Sequence, residues 1–130
     1  MNGDFIWDSN IVMIALFKND EKVISKLKKA NQICLPSIVL GELYSGANNS
    51  IKKEENILKI NTLANVVNVL HCDKETASFY GAIKYNLKKS GTPIPENDIW
   101  IAAIAMQNGM TLVSRDRHFE SVPGLSLESW

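Results

Sequence analysis

The sequence carries no excess of charge of either sign. Its 130 residues include 14 Lys and Arg against 14 Asp and Glu, so the formal net charge is zero. Histone-like proteins and basic nucleic-acid-binding arms depend on a surplus of cations, and that class is excluded, although a local basic patch is not. Charged residues make up 22% of the chain and hydrophobic residues 45%. This balance predicts one globular domain rather than a disordered chain.

Long apolar runs and a basic leader segment are also missing. The longest early apolar run, Ile11 to Phe17, is far shorter than the roughly 20 residues that cross a bilayer. Asp4 and Asp8 precede it, where a secretory signal would carry basic residues. We therefore expect a cytoplasmic protein.

Cysteine is scarce, with Cys34 and Cys72 as the two examples in the sequence. Both lie in short apolar runs and neither belongs to a CxxC spacing, so no zinc knuckle or disulfide framework is predicted. We expect both thiols to be reduced and buried in the core.

Short apolar runs alternate with segments of helical period, a pattern typical of βαβ units and a parallel sheet. The predicted strands are Phe5–Trp7, Gln32–Leu35, Val66–His71, Thr111–Val113 and Leu125–Leu127. Predicted helices follow candidate N-caps: Asn10 before 11–17, Asp20 before a helix with Val23, Ile24 and Leu27, Ser37 before 38–45, Asp73 before a helix ending at Gly91, and Asn97 before 98–107. A further helix after Ser50 carries Ile57, Ile60 and Ala64.

Four acidic residues fall where a parallel sheet of this kind has its ligand crevice. Asp8 ends the first strand, Glu42 lies in the second turn of a helix, Asp98 opens another helix, and Asp116 follows the fourth strand. The crevice of an open α/β sheet lies outside the carboxyl ends of its strands, where the following helices begin. The pattern therefore predicts that these four carboxylates meet at one edge.

Like charges that lie close together oppose one another's ionisation, and a hard divalent cation removes that cost. Mg²⁺ and Mn²⁺ prefer oxygen ligands, so the four acids predict such a site. Simpler interpretations remain for three of them: Asp8 in an Asx turn, Asp98 as a complement to the helix dipole, and Asp116 as a solvated loop charge. Glu42 lies on an apolar helix face, where an unpaired carboxylate would be costly.

Four segments together resemble the PIN-domain family, and most closely the VapC-type toxins of prokaryotic toxin–antitoxin pairs. The segments are 6–12 (IWDSNIV), 36–46 (PSIVLGELYSG), 91–103 (GTPIPENDIWIAA) and 112–119 (LVSRDRHF). They occur in the family's order with fitting spacings, and the resemblance covers essentially the whole chain.

The resemblance implies a single PIN-like domain over residues 1–130, with a three-layer α/β fold: a central parallel sheet of four to five strands flanked by helices. It implies a Mg²⁺- or Mn²⁺-dependent endoribonuclease that hydrolyses RNA to 5′-phosphate and 3′-hydroxyl ends. The metal ligands and catalytic acids it implies are Asp8, Glu42, Asp98 and Asp116, with Asn10, Asn97 and Ser114 supporting them. Ser9 stands where the family usually has Thr. The resemblance also implies that the chain forms a homodimer and that a small antitoxin protein binds it.

Other interpretations stay open at this point. A PIN-like domain could bind RNA or protein without catalysis, and a phospho-acceptor domain also collects acids at strand ends. A metal-free ribonuclease could use His71 and His118, and Glu96 could join the acidic site. The lysine-rich segments around Lys22 and Lys88 could bind an RNA backbone or be ordinary solvated helix faces.

An exposed apolar patch is also predicted from the helical segments. Five apolar residues are more than we expect to fit behind five short strands, and a sizeable exposed patch of this kind usually marks an interface. They are Ile57, Ile60, Phe79, Tyr80 and Ile83.

Overall fold

A computed structural model describes residues 4–29 and 32–130, without the side chains of Leu27 and Lys28. The predicted packing role of Leu27 therefore lies outside the described residues. The described chain forms a five-stranded sheet in the order β3-β2-β1-β4-β5. The strands are β1 (Asp4–Trp7), β2 (Gln32–Pro36), β3 (Asn68–Leu70), β4 (Thr111–Val113) and β5 (Leu127–Glu128).

Helices connect these strands and cover the sheet. They are α1 (Ser9–Phe17), α2 (Glu21–Lys29), α3 (Ser37–Asn48), α4 (Lys53–Val66), α5 (Lys74–Ser90) and α6 (Glu96–Gln107), followed by a 3₁₀ helix at Arg117–Ser121. The predicted α/β fold with a central parallel sheet is confirmed.

Every strand pair in the sheet is parallel, and the register aligns the ends of the two strands that carry site residues. Ile6 lies opposite Cys34 on one side of β1, and Trp7 lies opposite Val113 on the other. The amide of Asp8 continues the ladder by donating to the Val113 carbonyl at 2.9 Å. Asp8 and Ser114 therefore leave the sheet side by side.

The core lies on both sides of this sheet. Helix α6 is apolar on nearly all faces, and its residues 101–105 are fully buried, which is expected of a helix that packs in the interior. Phe5 and Trp7 both pack edge-on against Trp130, which is 2% exposed. Of the helices in the described ranges, none has the length and apolar character that crossing a membrane requires.

Three predicted N-caps are wrong because each residue already lies inside its helix. Asp8, whose side chain accepts from the Ser9 amide, caps α1 in place of Asn10. Helices α3 and α6 are preceded by prolines in extended conformation, which places Ser37 and Asn97 in the first turns. A proline before a helix fixes one backbone angle and needs no amide hydrogen bond there.

The other two caps are confirmed. Asp20 accepts hydrogen bonds from the amides of Lys22 and Val23. Asp73 and Thr76 form a reciprocal capping box at the start of α5, and Gly91, with φ of 70°, ends that helix in the left-handed conformation.

Several boundaries and burial predictions are wrong. Strand β3 is shorter than predicted because α4 continues through Val66, and β5 begins at Leu127, where it pairs with Leu112. Cys34 is buried as predicted, but Cys72 is exposed in the turn before α5. The five residues of the predicted exposed apolar patch are mostly buried, so this prediction is wrong. Ile60 and Ile83 belong to the core, and Ile57, Phe79 and Tyr80 are partly buried against it.

Candidate active site

The four predicted acids line one cleft at the carboxyl edge of the sheet. The cleft has a volume of about 550 Å³, and Ser9, Asn10, Asn97 and His118 line it as well. Asp8 is contributed by the end of β1, Glu42 by α3, Asp98 by the first turn of α6, and Asp116 by the segment after β4. The four acidic side chains therefore lie around one cleft, as the sequence predicted. Their catalytic roles stay a prediction.

Asp8 is 4% exposed, and each of its carboxylate oxygens has a donor. Oδ1 accepts from the Ser9 amide and Oδ2 from the Ser114 hydroxyl, both at 2.8 Å. Burial raises the pKa of Asp8, and the charge of Asp116 adds to the rise, while the two hydrogen bonds oppose it. Asp8 therefore caps α1 and belongs to the acidic cluster at the same time.

The Ser114 hydroxyl connects Asp8 to Asp116. While it donates to Asp8, it accepts from the Asp116 amide at 3.0 Å and from Asn10 Nδ2 at 3.4 Å. The Asn10 side chain also accepts from the Arg115 amide at 3.4 Å. Ser114 and Asn10 thus fix the backbone that presents Asp116.

Asp98 is 8% exposed and faces His118. Burial raises the pKa of Asp98, the charge of Asp8 raises it further, and the hydrogen bond from His118 works in the opposite direction. His118 Nδ1 lies 3.3 Å from Asp98 Oδ2 and 3.0 Å from Asp116 Oδ1, so this ring bridges two of the acids.

His118 was not included in the predicted site. The signal available in the sequence was its position two residues after Asp116. In the structure the Asp116 side chain caps the 3₁₀ helix by accepting a hydrogen bond from the His118 amide, and this turn brings His118 to the cleft. His71 follows edge strand β3, two strands away from β1, and is not among the described residues that line the cleft. The pair of histidines that a metal-free mechanism would need is therefore not assembled.

Glu42 is partly buried, and the carboxylate atom Oε1 is buried without a hydrogen-bond partner among the described residues. Burial raises the pKa of Glu42, and the negative charge of Asp8 adds to this rise, whereas the side chains of Asn97 and Ser9 offset part of it. A buried carboxylate oxygen without a donor is costly, and a bound cation or water would satisfy it.

Glu96 lies in the cleft wall but is held from the outside. Its carboxylate accepts from Lys84 Nζ at 2.9 Å and from the Tyr80 hydroxyl. The hydrogen bond from Tyr80 lowers the pKa of Glu96 most, and the hydrogen bond from Lys84 lowers it further. The pKa of Glu96 is therefore shifted in the opposite direction to the pKa values of Asp8, Glu42 and Asp98.

The donor set suits a hard divalent cation. Ligand atoms of Asp98, Asp116 and His118 lie within 4.8 Å of one another, and Asp8 and Glu42 line the same cleft. Carboxylate oxygens are ligands of hard divalent cations, and no cysteine is among the described residues that line the cleft. The raised pKa of three acids and the unpartnered Glu42 oxygen are both relieved by a positive charge at this place.

A second, mostly apolar groove of about 300 Å³ adjoins the cleft. It shares Ser9 and Glu42 with the cleft and continues between α1, α3 and α4. Its apolar walls are formed by Met13, Phe17, Leu43, Ala47 and Ile60. The acidic cluster therefore opens onto a surface that could bury apolar side chains of another molecule.

Comparison with known proteins places the chain in a family. A family model described as "PIN domain" matches residues 6–125. Ribonuclease VapC2 of Haemophilus influenzae is 37% identical over 128 residues, and tRNA(fMet)-specific endonuclease VapC of Salmonella typhimurium is 30% identical over 128 residues; each alignment covers 97% of both chains.

Two solved structures have closely similar folds. A crystal structure of VapBC2 from Rickettsia felis bound to a promoter DNA fragment contains a chain with a TM-score of 0.91 and 30% identity, with 98% of both chains covered. A DNA-bound VapBC from Salmonella typhimurium gives a TM-score of 0.92 at 29% identity over the same share of each chain. With its sheet order, its acidic cleft and these matches over nearly its whole length, the chain belongs to the PIN-domain family, in the VapC group.

Proposed function

We propose that this protein is a metal-dependent endoribonuclease and the toxin of a type II toxin–antitoxin pair. The observation that carries the proposal is the convergence of Asp8, Glu42, Asp98 and Asp116 on one cleft, three of them with a raised pKa. Relatives 30–37% identical over nearly the full chain are named VapC ribonucleases, which supports the same activity here.

The four acids would hold Mg²⁺ or Mn²⁺, with His118 close enough to Asp98 and Asp116 to take part. A divalent ion held by these residues would lower the pKa of a bound water and neutralise charge on the scissile phosphate. Asp8 is oriented for this task by Ser9 and Ser114. The Glu42 carboxylate, whose Oε1 has no hydrogen-bond partner among the described residues, would accept a hydrogen bond from the attacking water.

In the proposed reaction the water oxygen bonds to phosphorus and the bond from phosphorus to the 3′ oxygen breaks. The attacking water would give up one proton through the Glu42 carboxylate and the departing 3′ oxygen would take up one proton from solvent, so the products are a 5′-phosphate and a 3′-hydroxyl. No step uses the 2′-hydroxyl, so preference for RNA would come from the shape of the strand and from single-stranded loops. The proposed place of action is the cytoplasm, where cellular RNA is available as a substrate.

The proposed partner is a small antitoxin protein. The solved relatives are described as VapBC complexes, in which the toxin chain is found together with its antitoxin. In this chain the apolar groove beside the acidic cleft is a suitable place for an antitoxin segment, because a bound segment would bury Met13 and Phe17 and also cover Glu42. Such binding would block access of RNA to the acids.

The test is cleavage of a total tRNA preparation by the purified protein in Mg²⁺ or Mn²⁺, compared with the same reaction in EDTA. We expect cleavage with metal, none with chelator, and loss of cleavage in Asp98→Asn, while exposed Glu54→Gln on α4 serves as the control. The expected ends can be checked by ligation that requires a 5′-phosphate. Cleavage that persists in EDTA or in Asp98→Asn would overturn the metal mechanism, and RNA binding without any cleavage would favour a silent binding module.

A further inference from the structure

Arg115 lies between two residues of the acidic site, yet its side chain is engaged elsewhere. Its Nε donates to the main-chain oxygen of Trp130 at 2.6 Å, and its Nη2 lies 3.3 Å from Asp20 Oδ2. Its amide donates to Asn10 Oδ1 at 3.4 Å. Arg115 is not among the described residues that line the acidic cleft, so its guanidinium joins other parts of the fold to the loop that carries the site.

Both side-chain anchors of Arg115 are themselves fixed. Trp130 is 2% exposed, with ring centroids 5.0 Å from Phe5 and 5.7 Å from Trp7, so its main-chain oxygen is attached to the core behind β1. Asp20 is held at the start of α2, where its Oδ1 accepts from the amides of Lys22 and Val23 at 2.9 and 3.2 Å. The remaining carboxylate oxygen of Asp20 faces Arg115.

The peptide units on either side of Arg115 carry the atoms that organise the site. Ser114 on one side donates to Asp8, and on the other side the amide of Asp116 donates back to the Ser114 hydroxyl. A shift of this loop by a fraction of an ångström would change the spacing between Asp8 and Asp116, and the arrangement of ligands governs how well a divalent ion is held.

We propose that Arg115 is a positioning residue for the acidic site: by binding Trp130 and Asp20 at once, it fixes the Ser114–Asp116 loop and sets the distance between Asp8 and Asp116. This role rests on the proposed nuclease function. The planar guanidinium offers several donors in a rigid arrangement, so one side chain can bind two acceptors in different directions.

Arg117 provides a matched control, because it flanks Asp116 on the other side. Its side chain is 87% exposed, and its ion pair is with Glu120 at 3.3 Å, three residues along the same 3₁₀ helix. Arg115 and Arg117 therefore each place one positive charge next to Asp116 in the chain. Among their described contacts, those of Arg115 reach Asp20 and Trp130, whereas that of Arg117 stays within the 3₁₀ helix. A difference between them separates anchoring from a general effect of positive charge.

The experiment compares Arg115→Gln and Arg117→Gln in the full chain. Three measurements are made: kcat and KM for RNA cleavage, Mn²⁺ binding by calorimetry, and hydrogen–deuterium exchange of residues 114–118. For Arg115→Gln we expect kcat to fall about 10- to 100-fold with KM within about 2-fold, Mn²⁺ to bind about 10-fold more weakly, and the amides of Asp116 and His118 to exchange faster. Arg117→Gln should match the wild type in all three.

Arg115→Lys adds a graded test and replaces the glutamine variant if that variant does not fold. A lysine ammonium cannot bind both acceptors with the same geometry, so kcat and Mn²⁺ affinity should lie between those of Arg115→Gln and the wild type. Wild-type Mn²⁺ affinity and exchange in a folded Arg115 variant would overturn the proposal, as would equal losses in the Arg115 and Arg117 variants. If the wild-type protein binds Mn²⁺ but does not cleave RNA, the proposed function fails, while Mn²⁺ binding and exchange still decide whether Arg115 positions the loop.

Discussion

The carboxylate oxygen Oε1 of Glu42 is buried and has no hydrogen-bond partner among the described residues. Burial also raises the pKa of the Glu42 side chain. We predict that Glu42→Gln lowers RNA cleavage at least about 100-fold with little change in RNA affinity, because the amide keeps the size of the side chain but not its charge. The measurements are single-turnover cleavage and RNA binding in the presence of Ca²⁺.

Glu96→Gln is the companion variant for Glu42, since the Glu96 carboxylate is bound by Lys84 and Tyr80. It should lose much less activity than Glu42→Gln. Full activity in Glu42→Gln together with a dead Glu96→Gln would mean that the site uses the other glutamate. Equal loss of binding and cleavage in Glu42→Gln would make Glu42 an RNA-binding residue instead.

Asp98 provides a prediction about pH in metal-free buffer. Burial, and then the charge of Asp8, raise the pKa of Asp98 in the folded protein above its ordinary value of 3.8. The stability associated with its neutral form is therefore present below about pH 4 and is lost as the pH rises through the folded-state pKa. Since asparagine is neutral at every pH, the gain in free energy of unfolding from Asp98→Asn should increase between about pH 4 and about pH 7.

Urea unfolding in EDTA across this pH range measures the effect, with exposed Glu54→Gln as the control. A gain for Asp98→Asn that is constant with pH would contradict the assigned direction of the pKa shift. Added Mn²⁺ should stabilise the wild type more than Asp98→Asn, because only the wild type retains all four acids.

The site residues differ in how visible they were in the sequence. Asp8 and Asp116 could be placed together because they follow the ends of parallel strands, and Asp98 because it opens a helix that leads back to the next parallel strand and so begins at the same edge. His118 was missed because its approach to Asp98 depends on the turn made by the 3₁₀ helix. The contacts of Arg115 with Asp20 and Trp130 depend on tertiary packing that no local pattern encodes.

At the scale of elements, α5 has one glycine inside the helix and one at its C-cap, in contrasting conformations. Gly91 ends the helix with φ of 70°, which L residues adopt at a cost, whereas Gly81 lies within the helix with open space around the position of a Cβ. We predict that Gly91→Ala lowers the free energy of unfolding by about 1 kcal/mol and that Gly81→Ala raises it by about 0.5–1 kcal/mol. Urea unfolding at neutral pH measures both, and changes of the same sign would contradict the backbone assignment.

The elements themselves were predicted better than their ends. Apolar runs and helical periods identified every strand and every α-helix of the described chain but not the 3₁₀ helix at Arg117–Ser121, and the starts of three helices were assigned to Asn10, Ser37 and Asn97. These residue types are good caps, yet the cap is the residue at which the chain turns into the helix, and in α1 that residue is Asp8 at the end of β1. Helix α4 likewise continues through Val66, a β-branched residue that was predicted to begin the next strand.

At the scale of the whole molecule, the remaining prediction concerns assembly. Large apolar side chains remain exposed beside and along α4: Ile51 at 104%, Leu58 at 65% and Val66 at 77%. Exposed apolar area of this kind favours association, and we predict a homodimer. Light scattering at micromolar concentrations measures the mass, and Leu58→Lys should shift the population toward monomer if α4 contributes. A strictly monomeric wild type would contradict the prediction.

The parallel pairing of β1 with β4 has a consequence for the order of events during synthesis. Asp8 and the hydroxyl of Ser114 are 106 positions apart, and β4 and Asp116 belong to the last fifth of the chain. Since domains are made from the N-terminus onward, the first acid of the cleft exists long before the strand that completes its surroundings. A nascent chain that has not yet released residues 111–116 from the ribosome therefore lacks Asp116 and the Ser114 hydroxyl that binds Asp8, and we expect nuclease activity to begin only after that point. The toxin would then be harmless to RNA near the ribosome until its synthesis is nearly finished.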